Sequence, residues 1–156
     1  FIPLQDADKI IPFHSILSSK YELVGLKLED WSDYLTFERN IEREEKLYKY
    51  FNLKDNEKYN LINCKYGTPP ESFEIKPITP QNKYRNISMN SVGFDNVFDW
   101  CKLLENAQEI HTVNTCFCVI IEKLKKSDNL FMYNRGNQSN FNYLNGLFKK
   151  PWKYIL

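Results

Sequence analysis

No stretch of the chain approaches the roughly 20 consecutive apolar residues of a membrane-spanning helix, and the opening FIPLQDADK has no basic segment followed by an apolar run. A cytoplasmic protein is expected. Excess charge of one sign is also lacking, since 21 Lys and Arg stand against 20 Asp and Glu for a net charge of +1. No overall positive field exists to hold a polyphosphate backbone, and no nucleic acid partner is expected. The sequence contains no G-x-G-x-x-G, Walker loop, H-E-x-x-H or nucleophile elbow, which disfavours the common enzyme classes that those motifs define. Its four cysteines, Cys64, Cys101, Cys116 and Cys118, fall without zinc-ribbon or disulfide-scaffold spacing. They read as small buried apolar side chains, with Cys116 and Cys118 reduced and mostly buried in the apolar run TCFCVII. Internal repeats and low-complexity tracts are absent, and the sequon-like triplets at 86–88 and 137–139 read as chance.

What is present belongs to a folded chain: 156 residues, 42% hydrophobic and 15% aromatic, enough for one main core. The chain starts without methionine on an apolar, strand-like segment, so it reads as a piece that begins inside a larger protein. Residues 1–57 are then an N-terminal segment, the tail of a missing domain, and residues 58–156 the main domain. In the first, residues 7–17 hold a helix interrupted at Pro12 and residues 21–26 a short strand. Tyr34, Phe37, Ile41, Tyr48 and Phe51 lie near helical spacing and predict one long amphipathic helix over 31–51.

From residue 58 the pattern becomes regular. Strands are predicted at 58–64, 85–89, 109–113 and 130–133, with helices at 94–107 and 115–125 between the last three and a proline-rich extended loop over 68–83. Strands alternating with helices of this length signal right-handed crossovers. The expected fold is therefore α/β, a Rossmann-like parallel sheet flanked by helices, with the four strands as neighbours. The aromatic tail 141–156 is expected to pack back across the domain.

In such sheets ligands bind beyond the carboxyl ends of the strands, where helix starts leave backbone N–H groups unpaired. Two loops qualify. Asn114 and Thr115 follow the strand at 109–113, open a helix, and can offer a phosphate a hydroxyl, free amides and the positive end of the helix dipole. Lys65 and Gly67 follow the strand at 58–64 and can offer a positive charge and a close backbone approach. His111, on the strand beside the first loop, can hydrogen-bond a ribose, sugar or phosphate oxygen. Each has a plainer explanation too: a helix cap, a turn glycine, a structural histidine.

The ordered residues Phe98-Asp99-Trp100 through Leu104, Asn106-Ala107, Glu109-Ile110-His111 and Asn114-Thr115, running to Ile121-Glu122-Lys123-Leu124, carry a resemblance. Over roughly residues 58–135 the chain resembles the C-terminal, donor-binding half of GT-B glycosyltransferases of the heptosyltransferase-like kind. There a helix of the form D-W-x-x-L-I-x-x-A leads to a strand and then to D-T or D-S at the next helix start. The resemblance implies a nucleotide-sugar or nucleoside diphosphate as partner, with the diphosphate near Asn114 and Thr115 and the acceptor site on a separate N-terminal domain. Asn114 stands where that family has aspartate, and Cys116 and Phe117 stand where it has small residues, which narrows the phosphate pocket. No cofactor and no divalent metal are implied. Asp6-Ala7-Asp8 matches the letters of a D-x-D pair but reads as helix N-terminal acids. The alternative is a non-catalytic α/β interaction module that contacts a partner through an aromatic surface including Trp31, Trp100 and Trp152.

Overall fold

The computed structural model describes residues 16–54, 56–67, 71–89, 96–135, 144 and 147–156. Residues 7–15 of the helix expected over 7–17, the Asp6-Ala7-Asp8 triplet and the triplet at 137–139 lie outside them. Five strands form one sheet: β1 (Tyr59–Asn63), β4 (Arg85–Ser88), β5 (Glu109–Val113), β6 (Leu130–Tyr133) and β7 (Lys153–Ile155), with a separate antiparallel pair β2 (Lys65–Tyr66) and β3 (Phe73–Glu74). All neighbours in the five-stranded sheet are parallel, in the order β4-β1-β5-β6-β7. The four strands expected as parallel neighbours are so, and the C-terminal tail adds the fifth at the edge.

Handedness decides where the connections lie. Right-handed crossovers that step in one direction along a sheet all fall on one face, and a reversed step falls on the other. From β4 through β5 and β6 to β7 the chain steps one way. Those connections include helix α4 (Cys101–Asn106), helix α5 (Cys116–Lys123) and the segment ending in Trp152. Only the step from β1 out to β4 runs the other way, and it consists of the proline-containing chain through residue 84.

The registers Leu61↔Ile110 and Ile110↔Leu130 put Tyr59, Leu61, Ile110, Leu130 and Met132 on the helical face. There they bury against Leu103, Leu104, Ile120 and Ile121 and against Leu47 of helix α3 (Ile41–Tyr50). Tyr59 is fully buried and donates its hydroxyl to the Leu103 carbonyl oxygen at 2.9 Å. The opposite face is polar: Asn60, Asn86, Glu109, His111, Tyr133 and Lys153 share it by register. Asn82, from the returning chain, accepts from Asn60 Nδ2 at 2.8 Å and so ties that chain down.

The N-terminal expectations need two corrections. The single helix over 31–51 is instead a short helix α2 (Trp31–Tyr34), an extended segment, and α3. Tyr34 and Ile41, counted in the apolar stripe, are exposed, so the stripe never was one buried face. Tertiary contacts hold the extended segment out of a helix. Phe37 packs on Phe98 with centroids 4.8 Å apart, and Arg39 bonds Glu44 and Glu105. The Asn40 side chain then accepts from Arg43 N at 3.0 Å and caps the start of α3. Nor is 21–26 a strand: helix α1 (Ile16–Leu23) runs into it. Leu26 N bonds Tyr21 O and Gly25 N bonds Glu22 O, with Gly25 at φ +73. That is a Schellman stop, and glycine fills its left-handed position without strain.

Edge strand β7 is held by Glu122 of α5. One carboxylate accepts from Lys149 N at 3.0 Å and from Trp152 Nε1 at 2.8 Å. The Glu122→Ala substitution strands both donors and is expected to lower the unfolding free energy by about 1–3 kcal/mol in urea titration. Glu122→Gln keeps an acceptor and should lose less. Equal stability of all three proteins would show that the clasp does not hold the edge.

Candidate functional site

The strand order, counted along the chain as 2-1-3-4-5, reverses between β1 and β5. In open parallel sheets the crevice at such a reversal, outside the carboxyl ends of the strands, is where ligands bind. Here the two strand ends are joined by one side chain. Asn63, the last residue of β1 and only 1% exposed, donates from Nδ2 to Thr112 Oγ1 at 3.0 Å and to Thr115 Oγ1 at 3.2 Å. Its Oδ1 accepts from Lys65 N at 3.2 Å. A buried polar side chain whose bonds are all made holds its neighbours in place. The Asn63 bonds therefore set the loop after β1 against the loop after β5.

Thr115 occupies the cap position of α5 with an extended backbone, φ −142 and ψ −177, yet its side chain makes no capping bond to the helix. Its hydroxyl oxygen faces Asn63 instead, and of the first-turn N–H groups of α5 those of Cys116 and Phe117 lie against the Cys116 sulfur. Asn114 is half-buried, and its carbonyl oxygen accepts from Arg135 Nη2. Lys65 begins β2 with its side chain exposed. Gly67 has φ +126, and a Cβ there would stand 2.8 Å from the Glu71 carbonyl oxygen. The close backbone approach that glycine permits at this position is thus to the chain's own return.

His111 departs from the group. It lies on the polar face of the sheet, 3% exposed, between Glu109 (Nε2 to Oε2, 2.9 Å) and Tyr133 (Nδ1 to Oη, 3.0 Å). Its ring stacks on Phe131 at 4.5 Å and 4°. A cavity of about 330 Å³ lies above them, roofed by Thr79, Pro80 and Gln81. Burial pushes the His111 imidazole below its ordinary range, against the pull of Glu109, so a neutral ring bridges the two partners. The expectation for the cysteines also needs a correction. Cys118 is buried, with its thiol pushed up to about 12 by desolvation, but Cys116 is exposed at the rim of the crevice. Residues two apart on a helix point to nearly opposite sides, so one had to face out.

Two residues at this edge were missed from sequence. Asn63 carried a usable signal, a polar residue closing the apolar run of a buried strand. Arg135 lies two residues beyond β6 and carried none, because only the sheet order brings β6 beside β5. Its guanidinium Cζ lies 5.3 Å from the centre of the Tyr66 ring. Comparison of the chain with family models, with curated proteins and with solved structures finds no match. Among the described residues no helix is long and apolar enough to cross a membrane, and no group of three or more His, Cys, Asp or Glu is arranged to hold a metal ion.

The low pKa of folded His111 has a sign. On unfolding the ring returns to its ordinary value near 6.5 and takes up a proton that the folded protein binds less firmly. The unfolded state therefore gains protons, and stability falls, as the pH drops below about 6.5. Unfolding free energies measured from pH 7.5 to 5 should decline less steeply for His111→Phe than for the parent. Parallel curves would show that His111 is not the group responsible.

Proposed function

We propose that the carboxyl edge of the sheet binds a nucleoside diphosphate or its sugar conjugate, and that the chain is the donor-binding part of a glycosyltransferase. One observation carries this reading: the buried Asn63 amide bonds both strand-end loops at the point where the strand order reverses. That gives the strand ends a polar floor made of hydroxyls and amides, next to a helix start that the Thr115 side chain does not cap. Hydroxyls, helix-start N–H groups and a positive dipole end suit a diphosphate, whose oxygens accept hydrogen bonds and carry negative charge.

The sugar-transfer part of the reading rests on the resemblance of residues 58–135 to donor halves. In that arrangement this chain's residues would hold the diphosphate as a leaving group, with Thr115 and the α5 amides stabilising the charge that develops when the sugar departs. The acceptor and its base would come from another domain. The interaction-module alternative loses its specific support, because Trp31, Trp100 and Trp152 are 6%, 2% and 7% exposed and belong to the interior.

Calorimetric titration with a panel of nucleoside diphosphates and nucleotide-sugars tests the reading. Thr115→Ala should cost on the order of 1 kcal/mol, a severalfold loss of affinity. Thr115→Glu should abolish binding, because a carboxylate would stand in the anion's place. No binding at millimolar ligand, or binding unchanged by Thr115→Glu, would overturn it.

A further inference from the structure

The sequence contains four arginines, and three of them are neutralised by carboxylates. Arg39 pairs with Glu44 and Glu105, Arg43 with Asp99, and Arg85 with Glu57. Arg135 pairs with no described carboxylate. Its only described side-chain hydrogen bond runs from Nη2 to the carbonyl oxygen of Asn114, directly before Thr115. Its Nε is buried and has no acceptor among the described residues. A half-buried guanidinium that meets no carboxylate among the described residues is costly, and a bound anion is one way to meet that cost. Tyr66, at the end of the loop after β1, holds the guanidinium from the other side at 5.3 Å through a cation–π contact.

We propose that Arg135 is the residue that grips the terminal phosphoryl group of the ligand, with Tyr66 as its positioning residue. The inference rests on the reading of the strand-end crevice as a diphosphate site and names the charge that selects for it. Neither Lys65, whose side chain points to solvent, nor His111, which is neutral and on the polar face of the sheet, fills that role. The Asn114 carbonyl takes one Nη2 proton and fixes the fork beside the start of α5. An Arg fork set in this way can meet phosphoryl oxygens with two parallel N–H bonds, a geometry that lysine lacks. A ligand with a second phosphate gains from it and a monophosphate gains less.

The experiment is calorimetric titration of the full chain and of Arg135→Gln, Arg135→Lys, Tyr66→Leu and Tyr66→Phe. The probes are uridine and guanosine mono- and diphosphates and inorganic pyrophosphate, at two salt concentrations. Arg135→Gln should weaken diphosphate and pyrophosphate binding by about tenfold or more while changing monophosphate binding much less, and should flatten the salt dependence. Arg135→Lys should recover part of the loss. Tyr66→Leu should weaken diphosphates severalfold, and Tyr66→Phe should restore them. A merely structural arginine would weaken mono- and diphosphates alike, and that result overturns the proposal. Diphosphate binding within twofold of the parent in Arg135→Gln overturns it too, while leaving the crevice reading intact. If the parent chain binds no probe, the crevice reading itself fails and this inference falls with it.

Discussion

Crossovers between parallel strands are right-handed almost without exception, and that single constraint distributes the layers of this fold. Three of the four steps between strands run in one direction, so α4, α5 and the return to β7 share a face and make the core there. The one reversed step, from β1 to β4, is served by proline-containing chain rather than a helix. A loop of this kind cannot bury a sheet face as a helix does. The second face accordingly carries polar side chains with hydrogen-bond partners of their own, Asn60 with Asn82 and Asn86, and His111 with Glu109 and Tyr133 while its ring stacks on Phe131. The same reversal falls between β1 and β5, where the candidate site is proposed, so the thin face and the candidate site have a common cause.

The crevice and the thin face are chemically different places. At the strand ends lie a hydroxyl, amides, a helix start and an arginine with no carboxylate partner among the described residues, the groups on which the proposed anion site rests. On the face, His111 is held neutral by burial beside the Glu109 carboxylate, an environment that an anion would avoid. In sequence His111 lies on the strand that leads to Asn114 and Thr115. The alternation of side chains along β5 sends it to the face opposite Thr112, and in a strand a difference of one residue decides the side.

Much of the second half was legible in the sequence because its strands are short apolar runs between periodic segments, and local pattern there agrees with tertiary packing. The first half was not, for a physical reason. The residues at 35–40 leave the helix to make long-range contacts, Phe37 with Phe98 and Arg39 with Glu105, which no local spacing announces. Gly25 did carry a readable signal, since a glycine just after helix-forming residues marks a Schellman stop. At the site, Thr115 and Lys65 could be nominated from the rule for strand ends. Arg135 could not, since its place depends on β6 lying beside β5 and on Tyr66 returning from the other loop.

The central claim is that the loops after β1 and β5 act as one site because Asn63 joins them. Amide hydrogen exchange with and without a nucleoside diphosphate addresses that claim directly. The account predicts that ligand slows exchange together at residues 65–67 and at 115–118, leaves residues 79–81 over the His111 cavity unchanged, and has no effect at either loop in Asn63→Ala. Protection confined to one loop, or appearing at 79–81 instead, would contradict it.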